Sequence, residues 1–325
     1  MERLIGCNNL NNIELNNSIY YEYENGFLMP KDKTNITFIS SSYLNSVNTL
    51  KIPEGVTSFS NDIEGFKNIT KLEIPSSLIN VGLRIFPSSI SQVIIDTNNP
   101  KYISENNLWY TKDTKRLVMC YSKEQDVRIQ EGILVAEDGA FGAAVNATSI
   151  TLPDSLTHIN GQTFNACRNL KTIKIGKNVQ EISPIMMLFE CKAEVIIDEA
   201  NPYYMVENGV LYSKDKKVLK ACLKMFTGEF VVDKKVEIID VHAFNSQKIT
   251  KVIIPEGVKE IKDAAFTICY ELETVEIPNS VTTISKSAFE RCPDLNSINI
   301  NNTENSILGA PWGAPKGMKV VHWKK

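Results

Sequence analysis

The sequence of 325 residues lacks the features by which many enzymes and membrane proteins are recognised. No apolar run approaches the roughly 18 residues that a membrane-spanning helix needs, so we expect no membrane insertion. Histidine occurs only 3 times, and none of these residues has a serine, cysteine or carboxylate at a known catalytic spacing. There is no phosphate-binding glycine loop and no metal-binding histidine pair. We therefore predict a protein that is not an enzyme and that holds no metal ion and no cofactor.

An excess of positive charge is also missing, because 35 lysines and arginines are offset by 38 acidic residues, for a net charge of -3. A surface that attracts nucleic-acid phosphates needs a basic excess, so we expect no nucleic-acid partner. The first residues, MERLIGCNNLNNIELNN, contain no apolar segment of the kind that secretory leaders carry. By that criterion the protein is cytoplasmic, unless a leader lies upstream of this chain.

The cysteines number 7, which is odd, and no C-x-x-C pair occurs among them. Cys120 and Cys222 lie 102 residues apart, as do Cys167 and Cys269, and Cys292 follows Cys269 by 23 residues. Cysteines that follow a repeat period are explained more simply as stacked core residues than as disulfides or zinc ligands. We predict that these cysteines are free and buried.

What the sequence does contain is an internal repeat. IPEGVKEIKDAAFTICYELETVE at 254–276 is followed without a gap by IPNSVTTISKSAFERCPDLNSIN at 277–299. An L-x-x-I-x-I segment predicts a short strand in each copy, V-x-x-I predicts a second strand, and S-A-F-x-x-C predicts one helical turn. One copy cannot bury its own apolar residues, so the copies must stack as the rungs of a β-rich solenoid.

The spacing between successive strands shows where the repeat is interrupted. Eight of the eleven spacings are 21 to 23 residues, and the other three are 34 to 37. Each long spacing contains a similar stretch, which reads ENGFLMPKDKT at 24–34, ENNLWYTKDTK at 105–115 and ENGVLYSKDKK at 207–217. Apolar segments on both sides of a polar, turn-prone centre predict a β-hairpin. The sequence therefore predicts three β-hairpin insertions.

The repeat extends from Leu10 to Trp323, which predicts a single solenoid of residues 1–325. Residues 1–15 are the expected N-terminal capping rung, and residues 302–325 are the expected C-terminal cap. The I-P-x-x-V-x-x-I-x-x-x-A-F-x-x-C-x-x-L core, the NGVLYSKDKK insertion and the GAPWGAP tail resemble the BspA-like leucine-rich repeats of bacteria and protists. This resemblance implies a leucine-rich-repeat solenoid with short parallel strands, and a role in adhesion at the cell surface or after secretion.

Aromatic residues are concentrated in the insertions, because nine of the 11 tyrosines lie in or beside them. Two interpretations are open. The aromatic side chains stabilise the hairpins through cross-strand contacts, or they form a recognition surface for a partner. The candidate binding residues of the second interpretation are Tyr102, Trp109, Tyr110, Tyr204 and Tyr212.

The residue before the last apolar position of each long strand should face solvent. Most residues of this column are polar, with charges of alternating sign, so the column forms no ladder of one charge. Ile94, Ile196 and Ile253 are exceptions because they are apolar. Ile94 and Ile196 come just before insertions, so we expect the hairpins to cover them.

Together these observations predict a non-enzymatic, monomeric interaction protein that binds a protein or a glycan through a surface of its repeats. The alternative is an intracellular leucine-rich-repeat scaffold with no surface role. A leader encoded upstream would distinguish between the two.

Overall fold

The computed structural model describes residues 13–63, 65–82, 86–183, 193–303 and 306–324. The described residues form a β-solenoid of short strands, which confirms the predicted fold class. The described residues fall into two compact units, with unit 1 extending to Leu170 and unit 2 beginning at Lys171. Most of the predicted N-terminal capping rung lies outside the described residues.

Unit 1 is built from short strands and one described helix, α1 (Ser41–Ser46). The Ser40 side chain caps this helix by accepting a hydrogen bond from the Tyr43 N–H. The strands are β1 (Tyr21–Glu24), β2 (Phe27–Pro30), β3 (Phe38–Ile39), β4 (Thr49–Lys51), β5 (Ser58–Phe59), β6 (Lys71–Ile74), β7 (Asn80–Val81), β8 (Gln92–Ile95), β9 (Tyr102–Glu105), β10 (Leu108–Thr111), β11 (Arg116–Cys120), β12 (Asp126–Arg128), β13 (Val135–Ala136), β14 (Ser149–Thr151) and β15 (His158–Ile159).

Unit 2 repeats this organisation and includes one short 3-10 helix at Gly317–Val320. Its strands are β16 (Thr172–Ile175), β17 (Glu181–Ile182), β18 (Glu194–Ile197), β19 (Tyr204–Glu207), β20 (Val210–Ser213), β21 (Val218–Cys222), β22 (Thr227–Val231), β23 (Ile238–Ile239), β24 (Lys248–Ile253), β25 (Glu260–Ile261), β26 (Thr274–Ile277), β27 (Thr283–Ile284), β28 (Ser297–Ile300) and β29 (Val321–Trp323).

The longer strands of successive rungs pair in parallel, and each rung lies directly beside the next. In unit 2 the sheet has the order β22-β24-β26-β28-β29, and in unit 1 the order β4-β6-β8. Alternate side chains point to opposite faces of these strands, so Val275 and Ile277 of β26 are buried while Thr274 and Glu276 are partly exposed. The L-x-x-I-x-I segments therefore form the predicted half-buried strands.

The V-x-x-I segments form a second wall of two-residue strands, as predicted. In unit 2 this wall continues in the order β21-β23-β25-β27, with Ile239, Ile261 and Ile284 buried in register. The first member, β21, belongs to an insertion. The insertion is therefore joined to the solenoid by main-chain hydrogen bonds, and the ladder continues from it into the next rungs.

The predicted helical turn at S-A-F is present as tight turns and does not form a helix. The Ala288 N–H donates to the Ser285 carbonyl, and the Glu290 N–H donates to the Ser287 carbonyl, so both bonds span three residues. Arg291 then adopts a φ of 61°, a left-handed conformation that a helix cannot continue through. The Ala-Phe pair is buried as predicted, even though the local conformation differs from the prediction.

Each insertion contains the predicted β-hairpin. In the third insertion β20 and β21 pair antiparallel around Lys214–Lys217, and β19 adds a further antiparallel strand before β20. The second insertion repeats this order as β9-β10-β11. The sequence predicted the pairing of the second and third strands, but it did not predict the strand that precedes them.

Phenylalanine rings stack from rung to rung in the core of unit 2. The ring centroids of Phe244 and Phe266 are 4.8 Å apart, and those of Phe266 and Phe289 are 5.4 Å apart, with planes within 13° and 15° of parallel. The stack meets Trp312 in the predicted C-terminal cap region, where the Phe289 N–H donates to the Trp312 carbonyl. Stability in this unit therefore depends on contacts between neighbouring rungs.

The described cysteines are free, as predicted, and Cys120, Cys167, Cys269 and Cys292 are buried, whereas Cys222 is only half-buried. The Cys269 thiol donates to the Phe244 carbonyl, and the Cys292 thiol donates to the Phe266 carbonyl, both at 3.0 Å. Each thiol thus satisfies a carbonyl of the preceding rung. Burial raises the pKa of Cys120 to about 11, so this thiol stays protonated at neutral pH.

The turns after several long strands are fixed by a glutamate that reaches to the next rung. The Glu256 carboxylate accepts hydrogen bonds from the N–H groups of Asn279 and Ser280, both at 3.2 Å. The same arrangement joins Glu131 to the following turn, at 3.0 Å. Gly257 has a φ of 111°, which a residue with a side chain rarely adopts, so glycine is required after this glutamate.

Candidate interaction surface

The five aromatic residues proposed as a recognition surface are buried. Tyr102, Trp109 and Tyr110 in unit 1 and Tyr204 and Tyr212 in unit 2 all belong to the core. The recognition interpretation required these side chains to project into solvent, so their positions contradict it. The interpretation that they stabilise the insertions agrees with the structure.

Tyr204 shows why these positions need tyrosine. The Asn201 side chain accepts hydrogen bonds from the N–H groups of Tyr203 and Tyr204, and it donates to the carbonyls of Gly176 and Val179. The Tyr204 hydroxyl donates to the Gln180 carbonyl at 2.8 Å. The asparagine and the tyrosine therefore connect the third insertion to the rung before it.

Unit 1 has the same arrangement at Asn99 and Tyr102. The Asn99 side chain donates to the carbonyls of Pro75 and Leu78, and the Tyr102 hydroxyl donates to the Ile79 carbonyl at 3.2 Å. Burial raises the pKa of Tyr102 to about 12, so its hydroxyl remains a donor throughout the physiological range. The N-P-x-Y part of the insertion is thus a structural connection.

Trp109 and Tyr110 occupy different environments although they are neighbours. The Trp109 ring contacts Phe86 and Tyr102, with centroid separations of 5.4 and 5.6 Å. The Tyr110 hydroxyl donates to the Glu105 carboxylate within the same hairpin. Because Leu108, Trp109, Tyr110 and Thr111 are all buried, β10 is covered on both of its faces.

Tyr212 lies beneath the lysine-rich turn of the third insertion. The Lys216 ammonium is 5.3 Å from the centroid of the Tyr212 ring and forms ion pairs with Glu207 and with Asp233, the latter at 2.6 Å. The hydrogen bonds to Asp233 and then Glu207 raise the pKa of Lys216 above its usual value. The cation is therefore engaged inside the fold and is not presented to a partner.

A second set of charges joins this insertion to the two rungs that follow. The buried Asp240 carboxylate accepts hydrogen bonds from the ammonium groups of Lys220, in β21, and Lys262, the latter at 3.0 Å. Burial on its own raises the pKa of Asp240, but the hydrogen bonds from the two lysines outweigh this effect and leave the pKa below its usual value. In unit 1, Glu137 takes the corresponding position opposite Arg116.

Replacing Asp240 by asparagine is expected to lower the free energy of unfolding by about 1–3 kcal/mol at neutral pH, because the charged hydrogen bonds are lost. The folded-state pKa is depressed, so this contribution is complete above the unfolded-state pKa and is lost as the pH falls through the folded-state pKa. Urea unfolding of the wild type and Asp240→Asn should therefore converge in acid. The exposed Asp294→Asn is the matched control, and a deficit that persists unchanged in acid would contradict the assignment.

The exposed face of the five-stranded sheet in unit 2 is the surface that the structure offers instead. Register pairing aligns Val231, Ile253, Glu276, Asn299 and His322 in one column across the strands. We call these five residues the sheet-face column. Val231, at the end of the edge strand β22, is 59% exposed although it is apolar, and it lies beside the half-buried Ile253. Neighbouring apolar side chains that are open to solvent are one mark of a binding surface.

Polar groups around the exposed valine are already paired with each other. The Lys251 ammonium lies 3.1 Å from a Glu229 carboxylate oxygen, in the row beside Val231 and Ile253. The Asn299 amide donates to the Glu276 carboxylate at 2.9 Å. A partner would therefore meet an apolar pair bordered by satisfied polar groups, which is the usual organisation of a protein interface.

The expectation that the hairpins cover Ile94 and Ile196 is wrong. These side chains are 42% and 43% exposed, respectively. In both cases the isoleucine lies on the strand before an insertion, on the face that points away from the core. The insertions pair with the wall of two-residue strands through β11 and β21, so they leave the outer face of β8 and β18 open. Each unit therefore has an exposed isoleucine at the same position of the repeat.

The described residues show no group of three or more histidine, cysteine, aspartate and glutamate side chains that could hold a metal ion. Within the same residues, no helix has the length and apolar character needed to cross a bilayer. The Asp240 carboxylate and the Lys216 ammonium, whose pKa values are displaced, both bind residues of neighbouring rungs.

Comparison with known proteins identifies the repeat. The family model described as the BspA type leucine rich repeat region, in 6 copies, matches residues 28–125, 119–200 and 219–310. No curated protein matches the sequence. The three ranges matched by the family model cover most of the chain and coincide with the rungs and insertions described above.

Solved structures that are similar to this chain include bacterial proteins. The pneumococcal vaccine antigen PcpA matches with a TM-score of 0.51 and 19% identity, over 88% of this chain and 82% of that chain. A leucine rich cell surface protein from Faecalibacterium prausnitzii matches with a TM-score of 0.40 and 22% identity, over 89% and 97%. A leucine-rich repeat protein from Eubacterium ventriosum matches with a TM-score of 0.44 and 14% identity, over 95% and 83%.

Proposed function

Because the chain belongs to the BspA-type leucine-rich repeat family, we propose that it is a non-enzymatic interaction protein that binds a protein or glycan partner on a repeat surface, as an adhesin does. The observation that carries this proposal is the apolar pair formed by the exposed Val231 and the half-buried Ile253 in the sheet-face column. A solenoid presents such a column on a rigid main chain, so binding does not have to order the surface first.

The names of the similar proteins support a location at the cell surface. One is described as a cell surface protein and another as a vaccine antigen. Protease treatment of intact cells, with a cytoplasmic protein as the internal control, tests this location. Cleavage while the control survives is the expected result. Protection until lysis would contradict the adhesin role and would favour an intracellular scaffold.

The sheet-face column is tested by replacing Val231 with glutamate. In a binding screen against host-surface proteins and glycans, Val231→Glu is expected to weaken the binding of the macromolecular partner found with the wild type by about tenfold or more, because a charge replaces an apolar contact. The matched control is Ile94→Glu, the same kind of change on an exposed strand position of unit 1. Equal affinity of Val231→Glu and the wild type would exclude this column as the binding surface.

A further inference from the structure

An open cleft of about 540 Å³ lies in unit 2, at the ends of three neighbouring strands. It is lined by the residues that follow β26, β28 and β29, namely Asn279, Thr282, Asn301, Thr303, Ser306 and Lys324. Clefts that bind small ligands have volumes of about 300–1,000 Å³, so this one is large enough to hold a small molecule. None of its lining residues belongs to the sheet-face column.

The cleft lies beside a turn that lacks the glutamate connection present one rung earlier. One rung earlier, the Glu256 carboxylate binds the N–H groups of Asn279 and Ser280 and holds the two turns together. Asn279 takes the position of Glu256 in its own rung. Among the described residues, its side chain makes no hydrogen bond to the next rung. The carboxylate that holds the earlier turns together is thus replaced by an amide, and the space between the turns remains open.

The back of the cleft is nevertheless rigid. The Asn302 amide donates to the Val281 carbonyl at 3.0 Å, as the Asn201 amide donates to the Val179 carbonyl before the third insertion. The main chain of Asn301 is held by a hydrogen bond to the Ile277 carbonyl. The polar side chains around the opening therefore extend from a fixed main chain, which reduces the entropy lost when a ligand binds.

The chemistry of the lining is distinctive. Carboxamides, hydroxyls, one ammonium group and the apolar Val281 side chain surround the space, and the described lining contains no carboxylate and no aromatic ring. Carboxamides and hydroxyls both donate and accept hydrogen bonds, so together they match a ligand that carries several adjacent hydroxyl groups. The Lys324 ammonium adds a positive charge, and the lining residues that the structure describes include no acidic partner for it.

We propose that this cleft binds a saccharide, and that Lys324 pairs with the carboxylate of an acidic sugar of the uronic acid class. Amide and hydroxyl side chains hydrogen-bond the ring hydroxyls, and Lys324 gives the site its preference for an acidic over a neutral sugar. This site is separate from the sheet-face column, so the inference does not depend on the function proposed above.

The test uses the full chain, with its asparagines labelled with ¹⁵N, and follows the side-chain amide signals by NMR. D-glucuronate, D-glucose and acetate are titrated separately, up to the millimolar range expected for a single sugar unit. Signals of Asn279 and Asn301 should move with glucuronate, more weakly with glucose, and not with acetate. The double variant Asn279→Ala/Asn301→Ala should bind glucuronate about tenfold more weakly, because two ligand hydrogen bonds are lost.

Matched variants distinguish binding in the cleft from non-specific effects of the substitutions. Asn98→Ala makes the same change on an exposed turn of unit 1 and should leave the titration unchanged, as should Val231→Glu. Lys324→Gln should remove the preference for glucuronate over glucose, whereas the exposed Lys319→Gln should retain it. Thermal unfolding of every variant verifies that the fold is intact.

Three outcomes would overturn the proposal. An equal response to acetate would identify a site for small anions and not for sugars. The absence of any shift with either sugar would exclude a saccharide site, and so would unchanged binding by the double variant. Since Val231→Glu tests a different surface, failure of the proposed adhesin role and failure of this cleft can be told apart.

Discussion

Replacing Phe266 by alanine is expected to lower the free energy of unfolding by about 3–5 kcal/mol. The Phe266 ring is fully buried and stacks on Phe244 on one side and on Phe289 on the other. Removing it leaves a cavity between two rungs, and rungs fixed by parallel strands on two walls cannot move together to fill it. Chemical denaturation followed by circular dichroism measures the loss.

The control for this prediction lies in the same rung. Tyr270 is also aromatic, but its side chain is 53% exposed, so Tyr270→Ala should change the free energy of unfolding by less than about 0.5 kcal/mol. The contrast tests the register of the repeat, because a shift of the rung would exchange buried and exposed positions. Equal effects of the two substitutions would show that the assigned register is wrong.

The main features of the solenoid could be predicted from the sequence because they depend on repeated apolar positions. Ile261 and Ile284 are seven residues after Ile254 and Ile277 in consecutive rungs, and all four are buried. Every stacked rung must place apolar residues at the same positions to share the core. The periodic pattern is therefore strong even though each strand is short. The paired turns at Glu256 and Ser280 were also present in the sequence, as a glutamate followed 24 residues later by a serine. They were missed because polar residues in turns follow no hydrophobic period.

The candidate site was not predictable in the same way. A hairpin on the surface of a protein should have one exposed face, and alternation along β10 would then place Trp109 or its neighbours in solvent. In the structure, four consecutive residues from Leu108 to Thr111 are buried because β10 lies between β9 and β11 and is packed on both faces. Composition reveals the aromatic residues, but only tertiary contacts decide whether they are exposed.

The exposure of Val231 is explained by the register of its strand. In the sequence, GEFVVDKKVEI after the third insertion gives two adjacent valines, and the repeat spacing places Val232, 22 residues before Ile254, at the core position. Register pairing of β22 with β24 places Val231 opposite Ile253 on the solvent face, whereas Val232 is buried. A shift of one residue would reverse these roles, so the observed pairing confirms the register that the spacing predicts.

Replacing Trp109 by alanine should also lower the free energy of unfolding by about 3–5 kcal/mol, and this is the sharpest test of what the insertions do. The indole is fully buried against Phe86 and Tyr102 in the core of unit 1. Its Nε1–H has no hydrogen-bond partner among the described residues, so the ring contributes through packing alone. Trp109→Phe should therefore cost only about 1–2 kcal/mol, because most of the buried ring remains.

These two variants separate the structural from the recognition interpretation of the aromatic insertions. A structural role predicts a large loss of stability for alanine, a small loss for phenylalanine, and almost none for Tyr20→Ala, whose ring is exposed beside the first insertion. A recognition role predicts that Trp109→Ala unfolds like the wild type and loses only partner binding. Because a fully buried ring cannot touch a partner unless the hairpin first opens, unchanged stability in Trp109→Ala would mean that β10 is not packed as the structure shows.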